Sequence, residues 1–360
     1  MVRKKNILVC PLDWGLGHAT RMVPIIKAID NHGANAILAA DNQPLEFLQQ
    51  YFPKNKTIKL QGYSPKYPVN GSMTWAMIKS IPEMVKYSRL ANNDLQIIIE
   101  DYNIDAVISD NRYELSTSKV PTIFITHQLN IQTSGLQSLG KPLINYILKY
   151  YIKKYDEIWI PDIDGVNNLS GVLSKSNKFN DKKYHIGLLS RFSKISEVNI
   201  SDDIDVLIIL SGPEPQRSIL EKLLLQQSLQ TDLKTIILQG KPKEYKVQKI
   251  DNVKLISHLN DHDFSSLLRS AKCIISRPGY STLMDMAVIG CKAVFIPTPG
   301  QTEQEYLAKK LRNEGKAYSE SQNNFKLIDA IQNQDDYLGL SVNESSNLLN
   351  QRIQNLLNIC

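Results

Sequence analysis

His18 lies in the run Pro11-Leu12-Asp13-Trp14-Gly15-Leu16-Gly17-His18-Ala19-Thr20-Arg21, directly after the apolar pentapeptide Asn6-Ile7-Leu8-Val9-Cys10. A neutral imidazole at the mouth of a helix can take a proton from a hydroxyl near physiological pH. Gly15 and Gly17 let the backbone turn tightly and approach a ligand, and the helix that follows offers unpaired N–H groups at its start. The blander role for His18 is that it merely caps that helix. The pattern Gly15-x-Gly17-x-x-Thr20 lacks the third glycine of a dinucleotide fingerprint, in which Asp41 would be the ribose-binding acid. Asp110 ends the run Asp105-Ala106-Val107-Ile108-Ser109-Asp110. A carboxylate at a neighbouring strand end could hold His18 in the useful tautomer, as the third member of a hydrolase triad does. It could equally cap a helix near 112–118. His127, after Thr122–Thr126, is a third polar group on the same side, placed to contact substrate.

The second half carries two further segments. Ser211-Gly212-Pro213-Glu214-Pro215-Gln216-Arg217 reads as a strand end, a Gly turn and a Pro-started helix. Its N–H groups, with Arg217 nearby, could hold a diphosphate, although Pro213 and Pro215 donate no backbone hydrogen bond. It lacks the G-K-[ST] ending of a P-loop. The more specific segment is Ile274-Ile275-Ser276-Arg277-Pro278-Gly279-Tyr280-Ser281-Thr282-Leu283-Met284-Asp285. There a strand ends in Arg277-Pro-Gly and a helix opens with two hydroxyls suited to phosphate oxygens. Asp285 lies one turn from Ser281 on the same helix face and could accept both ribose hydroxyls.

These groups need elements to hold them. Runs 6–10, 35–39, 57–60, 106–109, 122–126, 157–160 and 184–188 predict strands, with helical spacing over 19–31, 43–51, 73–100 and 137–153. A second alternation predicts strands at 206–210, 234–238, 253–256, 273–276 and 293–296, with helices near 214–228, 261–270, 280–289 and 302–313. Such alternation implies an α/β chain with parallel sheets covered by helices on both faces. The expected plan is two Rossmann-like, doubly wound domains in tandem. Residues 1–192 form the first, 193–342 the second, and the helix within 343–360 packs back on the first. Ser190–Asp203 reads as a linker. Ligands bind beyond the carboxyl ends of such strands, so two facing units would create a cleft.

On these motifs, covering both domains in order, the chain resembles the family 28 (MurG-like) glycosyltransferases, whose fold is called GT-B. The resemblance implies inverting transfer of a sugar from a nucleotide sugar, a UDP-sugar such as UDP-N-acetylglucosamine, to an acceptor hydroxyl on a small molecule or lipid-linked compound. It places His18 at the reacting hydroxyl and makes Asp110 the aspartate that orients the histidine in related plant-type glucosyltransferases. Gly279, Ser281 and Thr282 match the phosphate loop, Asp285 the ribose ligand, and Gln304 with Glu305 the pair that grips donor-sugar hydroxyls. Ser257 and His258 fall where backbone groups read the uracil edge. Gly212, Arg217 and Arg277 complete the donor side, and Gly15, Gly17, Arg21 and His127 the acceptor side. The chain departs from the family at Arg21, where proline is usual, at Glu305, which replaces a glutamine, and in the 211–215 turn. These departures point away from the lipid-linked peptidoglycan precursor as acceptor.

Composition agrees with a globular enzyme. The 360 residues are 42% hydrophobic and 22% charged, which excludes a mostly disordered or collagen-like chain. Net charge is +6, and the excess lies wholly in residues 1–200. No acidic residue occurs between Glu114 and Asp156, whereas Lys119, Lys141, Lys149, Lys153 and Lys154 do. The run 141–154 mixes tyrosine, lysine and apolar residues at helical spacing, which suits either a core-facing helix or contact with an anionic membrane surface. No nucleic-acid partner is implied. Four dispersed cysteines argue against a disulfide framework or structural zinc and fit a reducing cytoplasm, with peripheral attachment at the inner membrane face. Among three Asp-x-Asp triplets, only Asp162-Ile-Asp164 lies beyond a strand end where a metal could bind. No metal or resident cofactor is expected, the nucleotide sugar being a co-substrate. Two other functions fit the same plan: a nucleotide-sugar epimerase, which needs acid–base carboxylates, and a non-catalytic sugar-nucleotide sensor.

Overall fold

The computed structural model describes residues 3–62, 73–130, 141–193, 204–242, 244–342 and 347–360. They fall into two units, one holding the chain up to Ser190 together with the C-terminal helix, the other starting at Arg191.

In the first unit the strands are β1 (Asn6–Cys10), β2 (Asn35–Ala40), β3 (Thr57–Lys59), β4 (Ala106–Asp110), β5 (Thr122–Ile125), β6 (Glu157–Ile160) and β7 (Lys183–His185). They lie side by side in the order β3-β2-β1-β4-β5-β6-β7, and every pairing is parallel. The helices are α1 (Leu16–Asn31), α2 (Asn42–Tyr51), α3 (Met73–Asp101) and α4 (Lys141–Ile152). The central strands are apolar throughout because helices cover both sheet faces. Leu8, Cys10, Ile37, Ala39 and Val107 pack with Ala91, Leu95, Ile98 and Ile99 of α3. α1 buries Met22, Val23, Ile25, Ile26 and Ile29, the i, i+3, i+4 stripe of a helix seated on a sheet. The strand order runs outward on either side of β1 and β4, so the crevice where it reverses opens beyond their carboxyl ends. Both chemistry-bearing loops of the first half emerge there.

The second unit repeats the plan with β8 (Ile204–Ile209), β9 (Thr235–Leu238), β10 (Val247–Ile250), β11 (Val253–Ile256), β12 (Ala271–Ser276), β13 (Val294–Phe295) and β14 (Tyr318–Ser319). Their order is β10-β11-β9-β8-β12-β13-β14, all parallel except the β10–β11 hairpin. Helices α5 (Gln216–Ser228), α6 (Asp261–Ser270), α7 (Tyr280–Ile289), α8 (Thr302–Asn313) and α9 (Leu327–Asn333) cover it. The reversal falls between β8 and β12, so the turn at Gly212 and the Arg277-Pro-Gly turn leave the sheet at its crevice.

The α/β architecture of two doubly wound sheets follows the sequence reading, with differences in detail. α1 begins at Leu16, so His18 is inside the helix and not its cap. No helix forms over 112–118; those residues are turn and irregular backbone. β10, β14 and α9 were not read from the pattern. β10, Val-Gln-Lys-Ile, is a largely exposed edge strand with no apolar alternation, and its signal is the two-residue Asp251-Asn252 turn, where Asp251 has φ +48°. Residues 137–140 of the expected fourth helix, and 194–203 of the expected linker, lie outside the described residues.

The closing helix, α10 (Leu348–Ile359), packs on the first unit and buries Ile353 and Leu356. The Arg352 guanidinium pairs with Glu157 at the head of β6 and lies over the Tyr184 ring, 3.4 Å from its centroid. Ile353→Ala should therefore cost about 2–5 kcal/mol through lost burial and a residual cavity. A chemical-denaturation midpoint unchanged from the parent would contradict this packing.

Candidate active site

β1 delivers the Pro11–Gly15 loop to the crevice, and Gly15, with φ +95° and ψ 173°, starts α1 from a conformation open essentially to glycine alone. α1 then presents His18 and Arg21 three residues apart on one face. β4 ends at Asp110, whose side chain is fully buried. The His18 ring nitrogen Nδ1 stands 2.9 Å from Asp110 Oδ2. Arg21 Nε donates to the same oxygen at 2.8 Å, and Arg21 Nη2 donates to Oδ1. The carboxylate is thus gripped by both prongs of a guanidinium that is itself only 2% exposed.

Electrostatics follow from this geometry. Burial opposes ionisation of Asp110, but the Arg21 charge, the His18 ring and their hydrogen bonds outweigh it and hold the carboxyl at about 2. His18 moves below the ordinary histidine value, first because it is desolvated and next because Arg21 repels a proton; Asp110 opposes the shift and His127 adds to it. The imidazole is therefore neutral at pH 7, and its Nδ1–H donates to the carboxylate. Nε2 is left as the lone-pair nitrogen, the arrangement of a general base with its orienting acid.

The structure brings His18, Asp110, Arg21 and His127 together at one crevice, with Gly15 closing the loop before α1 and Gly17 in its first turn. Asp110 caps no helix. Arg21, read from sequence as an acceptor-side group, is instead turned inward onto Asp110. The signal for that was available: an arginine three residues beyond His18 on the same helix face.

In the second unit, Gly279 is the N-cap of α7, and Ser281, Thr282 and half-buried Asp285 follow along its first two turns. Three of the expected donor-side residues already have partners within this unit. Arg217 donates to Glu214, Glu221 and the Gln239 carbonyl, and Glu214 also accepts the Ser218 N–H at 3.2 Å. The start of α5, beside Gly212, is therefore already served by a carboxylate. Ser257 spends its hydroxyl on the Lys246 backbone, and its own N–H and C=O on Lys246 and Lys241, pinning the β10 hairpin. Its N–H is thereby occupied, and its carbonyl oxygen keeps one acceptor lone pair. Next to it, His258 is held neutral by burial and by the charge of Arg191. Arg277 is 1% exposed and does not reach outward. It donates to the carbonyls of Ile296, Pro297 and Gln216 and pairs with Gln322 Oε1. Among the described residues no carboxylate is paired with it, and burial lowers it to about 10. Gln304 Oε1 accepts from Thr298 N–H at 2.8 Å and Glu305 Oε1 from Gly300 N–H at 2.9 Å. This pair braces the 298–301 turn.

Asp162 is likewise a structural acid. Its oxygens accept the N–H groups of Ile163, Leu169 and Ser170 and the Ser170 hydroxyl, so it organises the loop after β6. Among the described residues no group of three or more His, Cys, Asp or Glu side chains is placed to hold a metal ion.

Residues 206–341 match the glycosyltransferase family 28 C-terminal domain. An uncharacterised glycosyltransferase of Methanosarcina mazei is 23% identical over 336 residues, spanning 87% of this chain and 84% of that one. Among solved structures, the MurG of Acinetobacter baumannii superimposes with a TM-score of 0.57 at 13% identity, covering 99% of this chain and 100% of that one. The calicheamicin glycosyltransferase CalG4 does so at 0.64 and 12%, covering 99% and 94%. Arabidopsis thaliana UGT89C1, solved with UDP-L-rhamnose, gives 0.60 and 14%, covering 99% and 95%. The structural likenesses establish the GT-B fold; the family match and the relatives mark the chain as a glycosyltransferase.

One buried network ties the β1–α1 loop to the rest of its sheet. Asp13 Oδ1 accepts the Asp41 N–H at 2.9 Å, and Arg112 Nη1 approaches Asp13 Oδ2 at 3.8 Å. Arg112 also binds Glu114 and the carbonyls of Leu60 and Gln61. Gly62 closes over the pair; a Cβ there would lie 2.7 Å from Asp13 Oδ2. Burial raises Asp13 from 3.8 to about 6, with Arg112 opposing. Between these values the folded chain keeps a proton that the unfolded chain has lost, so the Asp13 contribution to stability falls as pH rises from about 4 to about 6. Asp13→Asn, which retains an acceptor for Asp41, should lose less stability over that interval than the parent. Identical slopes in melting temperature against pH would contradict the assignment.

Proposed function

We propose that the protein transfers a sugar, with inversion, from a nucleotide sugar to an acceptor hydroxyl. The observation that carries this reading is the 2.9 Å contact from His18 Nδ1 to Asp110 Oδ2 at the crevice of the first sheet. His18 Nε2 takes the proton of the acceptor hydroxyl, and Asp110 stabilises the imidazolium that forms. The acceptor oxygen bonds to the anomeric carbon as that carbon's bond to the diphosphate oxygen breaks. One displacement inverts the configuration.

In this reading the second unit holds the donor. The start of α7, with Ser281 and Thr282, takes the phosphate oxygens, and Asp285 the ribose hydroxyls. Gln304 Nε2 and Glu305 Oε2 take the sugar hydroxyls, and the His258 backbone meets the base. The negative charge developing on the leaving diphosphate is met by the α7 N-terminus and by the field of buried Arg277, so the reading invokes no metal. The family match at 206–341 supports a nucleotide-sugar donor, and the fold neighbour solved with UDP-L-rhamnose supports a uridine diphosphate leaving group.

The acceptor belongs to the first unit and is a small-molecule or lipid-linked alcohol. α4 exposes Tyr146, Ile147 and Tyr150, with Lys154 over the Tyr150 and Tyr151 rings and Lys153 exposed beside them. This mixture supports peripheral contact with an anionic membrane surface at its cytoplasmic face. No helix among the described residues is long and apolar enough to cross a membrane.

Removing a general base costs about 10²–10⁴ in rate. His18→Ala should therefore lose that much kcat with UDP-sugar donors while the donor KM stays near the parent value. A kcat close to that of the parent enzyme would overturn the reading.

A further inference from the structure

We propose that Arg21 is a positioning residue that keeps His18 in its neutral, proton-accepting form and fixes the carboxylate that orients it. This rests on the reading of His18 as the base.

The argument is one of geometry and charge count. Among the described residues, the charged or titratable groups that act on His18 are Asp110 from the end of β4, Arg21 from α1 itself, and His127 from beyond β5. Arg21 Nε and Nη2 hold both oxygens of Asp110, so the carboxylate has one orientation, with Oδ2 towards His18 Nδ1. Arg21 and Asp110 together carry no net charge. A proton added to His18 therefore leaves a buried cluster at +1, which a desolvated crevice disfavours. With Asp110 alone as neighbour, the same proton would bring the cluster from −1 to zero and would be retained. Arg21 thus converts an aspartate–histidine pair that would store a proton into one that waits for it. The lowered proton affinity of His18 agrees, since burial and the Arg21 charge outweigh the attraction of Asp110.

A lysine at position 21 would preserve the charge but not the two-pronged grip. That separates the electrostatic from the orienting contribution.

The test is an NMR titration of the His18 ring in the intact chain without substrate, its resonance assigned by its loss in His18→Gln. The parent should titrate below the ordinary value of 6.5. Arg21→Gln should raise the midpoint by about one unit or more, Asp110→Asn should lower it further, and Arg21→Lys should leave it near the parent. If Arg21→Gln does not fold because Asp110 loses its counter-ion, the double variant Arg21→Gln/Asp110→Asn carries neither charge. It should titrate above Asp110→Asn alone, a comparison that isolates the arginine. A merely structural Arg21 would leave these midpoints in place, and an unshifted midpoint on loss of the arginine overturns the proposal. Because no turnover is measured, the titration is decided separately from glycosyl transfer: the expected shifts with a fully active His18→Ala would support the role of Arg21 in setting the charge of His18 and remove only the catalytic reading.

Discussion

A carboxylate with no access to water must be neutralised or surrounded by donors, and Asp110 meets that requirement with Arg21 and His18. The rest of the first unit's chemistry depends on this. β4 must end where it does for the carboxylate to reach the crevice, and its register with β1, Cys10 opposite Ser109, sets that position. α1 must begin at Gly15 for His18 and Arg21 to face Asp110 from one side. Asp13, Arg112 and Gly62 hold the intervening loop against the ends of β2 and β3. A carboxylate, a guanidinium and an imidazole so arranged form a base that is neutral at rest, with its Nδ1 held against the carboxylate.

The two units treat buried arginine differently, and the contrast carries functional meaning. Arg21 is matched by a carboxylate, so the crevice beside it carries no surplus charge. Arg277 is surrounded by carbonyl oxygens and one glutamine, with no acid paired to it among the described residues, and burial lowers its proton affinity. An uncompensated guanidinium at the crevice of a doubly wound sheet costs folding free energy and gives the second unit a stored positive field. A dianionic leaving group is the kind of ligand that would use it. Arg217, by contrast, is consumed by Glu214 and Glu221, so its end of the crevice offers no such field.

Much of this was legible in sequence. The apolar runs of β1, β4, β8 and β12 announce strands buried on both faces, and their alternation with amphipathic segments announces two parallel sheets. The Gly15-Leu-Gly-His18 loop and Asp110 could be placed at strand ends, and a strand end is where the crevice lies. The partners of the arginines were not legible. Whether Arg21, Arg217 or Arg277 turns inward depends on which acceptors the fold brings within reach, such as Asp110 for Arg21 and the Ile296 and Pro297 carbonyls for Arg277. The β10 strand escaped notice because an exposed edge strand needs no apolar alternation. Ser257 misled because its neighbourhood is set by that same hairpin.

If a neutral His18 activates the acceptor for a single displacement, the stereochemistry of the product records it. Transfer from an α-linked UDP-sugar, with the product's anomeric configuration read from its proton NMR coupling, should give the β-glycoside. An α-glycoside would require a covalent or otherwise shielded intermediate and would contradict the account in which His18, oriented by Asp110, is the base.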